Sequence, residues 1–269
     1  LGQWTIRIVV AAMIVTGTYL VIENQTYTSV ATADSHKKDT EDSNQYIAFS
    51  DGVIRYSRDG VVFLNKRNKE KWIQPCQIQN PIVDVNEDVF AIADVGGNTI
   101  MIFQKSGLKG EIETTLPIEK ISVSNQGIVS AILKNESTPQ IISYDAVGNI
   151  LVEHQVNLNS TGYPISLDMS ADGENLMVSY LSTKNGTLKS MVAFYNFGKE
   201  GQEKTDNLIY TEDFEQTVVP DVFYMDASTS VAVGDRSFVI YEGTKSVKKK
   251  TEVKLNQEIR SEFHSDRYI

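Results

Sequence analysis

Cysteine and histidine are nearly absent from this chain of 269 residues, which carries one Cys and three His. A single thiol, Cys76, closes no intrachain disulfide and builds no cysteine-rich zinc centre. It suits a reducing compartment, and equally the surface of a cell that uses few disulfides. The histidines, His36, His154 and His264, lack any His-x-x-x-His or comparable ligand spacing, so surface or packing roles are expected of them. Net positive charge is lacking too. The chain has 25 Lys and Arg against 35 Asp and Glu, a formal net charge of −10. That balance argues against sequence-independent nucleic-acid binding, which needs clustered cations. Its simplest consequence is solubility.

Several chemical signatures are missing as well. Gly96-Gly97-Asn98 is a turn signal with no Lys-Ser/Thr behind it, so it is no phosphate loop. No Gly-x-Ser-x-Gly elbow occurs. The segment from Asp168 through Ser170 and Asp172 to Glu174 begins like a calcium loop. Ser179 stands where a bidentate Glu is required, and Asn175 where an apolar residue belongs, so a plain hairpin turn is expected. Asn24, Asn135, Asn159 and Asn185 each open a glycosylation triplet, which matters only in a glycosylating host. Carboxylates are numerous, but spacing along the chain cannot pair them across repeats. A glycosidase-like pair therefore stays open. No residue is put forward as catalytic, cofactor-binding or metal-ligating, and no cofactor is expected.

What is present begins with residues 8–22 (IVVAAMIVTGTYLVI), a run without charge. With Thr5, Ile6 and a snorkelling Arg7 it reaches the lower limit for crossing a hydrocarbon core of about 30 Å. Residues 1–22 are expected to be a transmembrane signal anchor, with membrane contact over 6–22. A signal peptide cleaved after Ala31-Thr32-Ala33 and a buried soluble helix are the alternatives. Residues 23–45 are rich in Ser, Thr, Asn and Asp with no apolar period, and read as a flexible stalk. Residues 46–269 are expected outside the cytoplasm. Their one basic cluster is Lys245, Lys248, Lys249, Lys250 and Lys254. It reads as a solvated loop, or as a contact for an anionic wall polymer or lipid headgroups.

The strongest pattern is a repeat. Pro81-Ile82, Pro117-Ile118, Pro164-Ile165 and Pro220-Asp221-Val222 account for four of six prolines, and each opens a short apolar segment. Proline cannot donate to a ladder, so this position suits the start of a strand. A polar turn and a second strand should follow, the second strands beginning near Tyr46, Val89, Ile128, Leu176, Val231 and Tyr268. A third strand then ends in a bulky residue, with a polar residue after it and a turn residue three further on. Leu64-Asn65 with Asn68, Phe103-Gln104 with Gly107, and Tyr144-Asp145 with Gly148 keep this cadence; the units around Tyr195 and Tyr241 lose the spacing. Asn and Gly suit the positive φ of such turns.

An all-β repeat of about 35–55 residues points to the blades of a propeller, each a four-stranded antiparallel sheet. About five complete repeats fit. The phrase restarts near Ile259 and stops at Ile269, so an incomplete ring with a truncated C-terminus is expected. The cadence resembles the Asp-x-x-Gly-x-x-x-Trp hallmark of quinoprotein-like (PQQ/WD40-like) propellers in degenerate form, since only Trp72 keeps the tryptophan and only Asp145 the aspartate. A pyrroloquinoline-quinone dehydrogenase is excluded, because the vicinal disulfide that such enzymes stack on the cofactor needs two cysteines. The phrases around residues 46–57, 107–124 and 192–198 also resemble a bacterial family of unknown function with an N-terminal membrane helix and an extracytoplasmic propeller. That resemblance implies architecture and location, and it brings no catalytic residues.

The expected function is a membrane-anchored binding or scaffolding module for an unidentified protein, peptide or glycan. The alternatives are a hydrolase or lyase using carboxylates at the channel mouth, and a ligand-sensing domain. Desolvated carboxylates of perturbed pKa at that mouth would favour the enzyme. A large exposed apolar patch would favour a macromolecular partner.

Overall fold

A computed structural model describes residues 2–23, 44–135, 138–184 and 186–264, which fall in two compact units, 1–40 and 41–269. Of the stalk expected over 23–45, residues 24–43 lie outside the described residues, as do His36, Asn24, Asn185 and the strand expected at Tyr268, while Glu23 ends a helix and Gln45 opens a strand.

The described residues of the first unit form one helix, α1 (Gly2–Glu23). Its described apolar side chains, among them Trp4, Ile8, Met13 and Tyr19, are all exposed. Thr16 and Thr18 return their hydroxyls to the carbonyls of Ala12 and Ile14 at 2.9 and 2.7 Å, so neither polar group needs an outside partner. Among the described residues no helix is long and apolar enough to cross a membrane. The stretch from Ile6 to Leu20 rises only about 22 Å at 1.5 Å per residue, short of a core of about 30 Å. The transmembrane segment expected over 6–22 is therefore not shown by the structure.

Among its described residues the second unit is all-β apart from one short helix and a 3-10 turn. Its described residues form five four-stranded antiparallel sheets, each made of consecutive strands in chain order. The first holds β1 (Gln45–Phe49), β2 (Gly52–Ser57), β3 (Gly60–Asn65) and β4 (Glu70–Pro75). The second holds β5 (Pro81–Asn86), β6 (Val89–Asp94), β7 (Thr99–Gln104) and β8 (Gly107–Glu113). The third holds β9 (Ile118–Val123), β10 (Val129–Leu133), β11 (Gln140–Tyr144) and β12 (Ile150–Gln155). The fourth holds β13 (Tyr163–Met169), β14 (Asn175–Lys184), β15 (Thr187–Asn196) and β16 (Leu208–Glu215). The fifth holds β17 (Asp221–Tyr224), β18 (Thr229–Val233), β19 (Ser237–Glu242) and β20 (Lys248–Lys254).

Both faces of the middle strands are buried, so they read as continuous apolar runs. β6 shows why. Val89, Ala91 and Ala93 pack toward the third sheet, whereas Phe90 and Ile92 pack toward the first. Equivalent cores join the third sheet to the fourth and the fourth to the fifth. The far face of the fifth sheet, with Phe223, Val231 and Val233, is covered in part by Ile259 from the C-terminal segment.

The repeat is visible in its irregularities. In all five sheets the ladder between third and fourth strands slips at the bulky residue of the cadence: Leu64, Phe103, Tyr144, Tyr195 and Tyr241. A β-bulge there bends the outer strand and raises its twist. Asn68, Gly107 and Gly148 take φ of 55°, 123° and 89°, as the turn chemistry requires. The fourth unit loses the spacing because a helical turn, α2 (Lys199–Gln202), and a 3-10 turn (Thr205–Asn207) are inserted after β15.

Two strand expectations need correction. Tyr46 lies on β1, and the second strand of the first sheet begins at Gly52. The turn that precedes it is at Ser50-Asp51, where Ser50 takes φ of 51°. The lysine cluster is also not one loop: only Lys245 lies in the connection before β20. Lys248, Lys249, Lys250 and Lys254 lie on β20, exposed along its whole length.

Candidate functional site at the inner strands

β5 lies against β9, β9 against β13, and β13 against β17. These are the strands the prolines open: Pro81 and Pro164 stand in their first two residues, Pro117 and Pro220 directly before. Together they wall a cavity of about 1110 Å³, to which Tyr56 of β2 and His264 of the C-terminal segment also contribute.

A line of polar groups crosses the wall. Asp84 on β5 accepts the amide N–H of Val85 on Oδ1 at 2.9 Å and that of Val123 on β9 on Oδ2 at 2.6 Å. Ser122 on β9 accepts the amide of Met169 on β13 at 2.9 Å and donates its hydroxyl to Asp168 Oδ1 at 2.8 Å. Asp168 Oδ2 accepts the amide of Tyr224 on β17 at 2.6 Å. One side chain per inner strand thus takes an amide from the next strand. A parallel bond runs from Ser166 Oγ to Asp221 Oδ1 at 2.8 Å. Burial, and then the charge of Asp84, pushes the Asp168 carboxyl up to about 8; burial likewise raises Asp84. Burial, and then Asp168, raises the Tyr224 phenol.

At the open end the His264 ring lies flat on Phe223, with centroids 3.6 Å apart and planes 5° from parallel. Its Nδ1 is 3.1 Å from Glu262 Oε2. Glu87, Asp172 and Asp226 add carboxylates to the lining, against the single lysine Lys120.

Of the motif residues singled out in the sequence, Asp168, Asp172 and His264 line this cavity with the strands the prolines open, whereas the Gly96 turn and the lysine cluster do not. The calcium-like segment is the β13–β14 turn, held by Ser170 and Glu174 donating to Asp172 Oδ1 at 2.6 and 3.0 Å. Gly96-Gly97-Asn98 is the β6–β7 turn, which exchanges backbone hydrogen bonds with Ile118. No group of three or more metal-ligating side chains occurs among the described residues. Lys245 pairs with Glu200 at 2.6 Å, Lys249 with Glu212 and Glu252 at 2.8 Å each, Lys254 with Glu252 at 3.5 Å, and Lys250 with Glu242. Lysines along an exposed outer strand also guard its open edge against pairing with another chain.

His154 is packed, as expected, with its ring 4.6 Å from that of Tyr195. Its Nε2 is buried without a partner, and burial pulls its pKa down against the opposing charge of Asp206. As pH falls below the ordinary histidine value of about 6.5, the unfolded chain takes up a proton that the folded one refuses, so stability should drop. Urea midpoints at pH 7 and pH 5 check this. His154→Phe should show a smaller acid loss than the parent, and an equal loss would refute the assignment.

Trp72 docks the first sheet on the second. It stacks on Phe103 at 5.1 Å and 9°, and its Nε1 donates to the Lys105 carbonyl at 3.1 Å. With this geometry goes a sequence match: the model of a family of unknown function, DUF5711, aligns with residues 23–269. The chain belongs to that family. No curated protein matches it by sequence. Among solved structures it is similar to Hsv2p of Kluyveromyces lactis, with TM-score 0.54 and 11% identity over 86% of this chain and 78% of that one. The WD40 domain of Neurospora crassa Pan2 gives TM-score 0.51 and 13% identity over 77% of this chain and 64% of that domain. Sqt1 of Saccharomyces cerevisiae gives 0.51 and 10% over 78% and 60%. At such identities the likeness establishes the fold, a WD40-type propeller architecture, and nothing of activity.

Proposed function

We propose that this family member is a membrane-anchored, extracytoplasmic binding module that takes its ligand in the inner-strand cavity. The observation that carries the reading is the cavity itself, about 1110 Å³ and lined by side chains from all five sheets. Its excess of carboxylates favours a cationic ligand, such as a basic peptide segment. The anchoring part rests on the uncharged run 8–22 and on a helix whose described apolar side chains are exposed all round. The quinoprotein-like cast of the propeller rests on the docking of Trp72. Contact of β20 with an anionic surface is a separate proposal, and it would have to open the ion pairs of Lys249, Lys250 and Lys254.

One observation favours a second reading, a carboxylate-dependent hydrolase: Asp84 and Asp168 both hold protons more tightly than free carboxyls. Against it, all four of their oxygens already accept hydrogen bonds from the protein.

The test is site-directed photo-crosslinking of the intact protein in its native envelope. A crosslinker at Ala227 on the cavity wall should capture a species that Glu87→Lys abolishes, while one at Glu153 on β12 should not capture it. Equal capture from both positions, or survival in Glu87→Lys, refutes the cavity reading. Recovery of the intact protein in the carbonate-soluble fraction refutes the anchor.

A further inference from the structure

We propose that Asp84, Ser122 and Asp168 form a pH-sensitive clasp, which joins the inner strands of the second to fifth sheets while it holds a proton and loosens when that proton leaves. The geometry sets up the dependence. Three joins between successive inner strands run through these side chains: Val123 N–H to Asp84, Met169 N–H to Ser122, and Tyr224 N–H to Asp168. Ser122 has one hydroxyl proton and gives it to Asp168 at 2.8 Å, yet the same hydroxyl also acts to favour charge on Asp84. One hydroxyl cannot satisfy two carboxylates. If Asp84 carries a proton, it donates to the free lone pair of Ser122, and the row becomes continuous from Asp84 through Ser122 to Asp168. If both carboxyls are ionised, one faces a lone pair and the two negative charges repel across a desolvated wall.

The surroundings do not offset a second charge. Facing the pair are Glu87 beyond β5, Lys120 on β9, Asp172 in the β13–β14 turn, and Asp221, Tyr224 and Asp226 from the fifth sheet. Tyr56 from β2 and His264 complete the set; His264, the Val123 and Val85 amides and the Ser122 hydroxyl favour charge on Asp84, and burial outweighs them. Burial and mutual repulsion hold Asp168 up to about 8, which places the switch just above neutrality. A carboxyl raised above its unfolded value near 3.9 favours the folded state below that value, and the gain is lost as pH rises through about 8.

The clasp reads differently from a merely structural row. Hydrogen exchange of the full chain, corrected for the intrinsic base dependence, should show protection of the Val123, Met169 and Tyr224 amides falling about tenfold between pH 7 and pH 9, relative to the Ile102 amide in the second sheet. In Asp168→Asn, which keeps an acceptor but cannot ionise, the three amides should track Ile102. Parallel behaviour of all four amides in the parent chain, or an equal fall in Asp168→Asn, overturns the proposal. Should that variant not fold, carboxyl-carbon NMR of the parent decides. A cavity aspartate titrating near pH 8 is expected, and titration of both Asp84 and Asp168 below about pH 6 overturns the clasp.

Discussion

Replacing Phe90 by alanine should cost about 3–5 kcal/mol of folding stability, the range for deleting a fully buried aromatic ring. Phe90 has no exposed surface and lies at the join of the first two sheets. Its ring centroid is 6.2 Å from Phe49, 6.3 Å from Tyr56 and 5.9 Å from Phe103. Two of those partners belong to the first sheet and one to the second, so the cavity left behind falls between them. In a series of sheets each held chiefly by its neighbours, such a loss need not be shared by the whole array. Urea unfolding followed by Trp72 fluorescence (in a Trp4→Phe background) and by far-UV circular dichroism separates the outcomes. The Trp72 transition should move to lower urea, ahead of the dichroism transition, because Trp72 reports the same join. A midpoint shifted by less than about 1 kcal/mol would show that the ring is not at the centre of this contact.

How far the sequence reveals this fold can be judged from particular residues. The prolines mark the inner strands because proline's missing N–H is tolerated at the first residues of a strand and harmful within its ladder, the edge strands, such as β4 with Pro75, excepted. The bulky residues Leu64, Phe103, Tyr144, Tyr195 and Tyr241 stand out because each fills the same bulge. Second strands start within two residues of Val89, Ile128, Leu176 and Val231, since a polar turn followed by a run buried on both faces has few other readings. β20 misleads because an outer strand exposed on both faces need not alternate, and its run of lysines looks like a loop.

The clasp is hidden for a different reason. Asp84, Ser122, Asp168 and Tyr224 occupy one position in four repeats, but they follow the prolines at unequal offsets of three, five, four and four residues. A register shift beside Pro164 is one cause. Counting back from the turn restores the alignment. Each is followed by Val or Met and then by a small polar residue: Asn86, Ser124, Ser170 or Asp226. Three of those residues hold the next turn, with Ser124 taking the amide of Ile128, Ser170 that of Asn175, and Asp226 that of Thr229. Counting from the turn finds the position, while the pairing of Asp84 with Asp168 depends on the curvature that brings the second and fourth sheets to one cavity.

Gly110→Ala should cost about 2–3 kcal/mol, toward the upper part of the range for overpacking. Gly110 lies on β8, and a Cβ there would stand 1.7 Å from the Ala146 carbonyl oxygen and 2.8 Å from its carbon. Both are backbone atoms of the third sheet, in the turn between β11 and β12, so no rotamer change relieves the contact. Nor can the turn swing away freely. Asp145 Oδ1 accepts the amides of Val147 and Asn149 at 3.0 and 2.8 Å, and the Gly148 amide donates to the Asp145 carbonyl at 3.1 Å. The clash must therefore part the outer edges of the second and third sheets or break that turn. Asp145→Ala removes the acceptor of the Val147 and Asn149 amides and of the Asn149 side-chain amide, so in the double variant the turn can yield to the new methyl group. The two substitutions should then cost less together than the sum of each alone, by roughly 1 kcal/mol in a double-mutant cycle. Strict additivity would mean that the strain is relieved elsewhere, and a neutral Gly110→Ala would mean that the two sheets do not approach at this point.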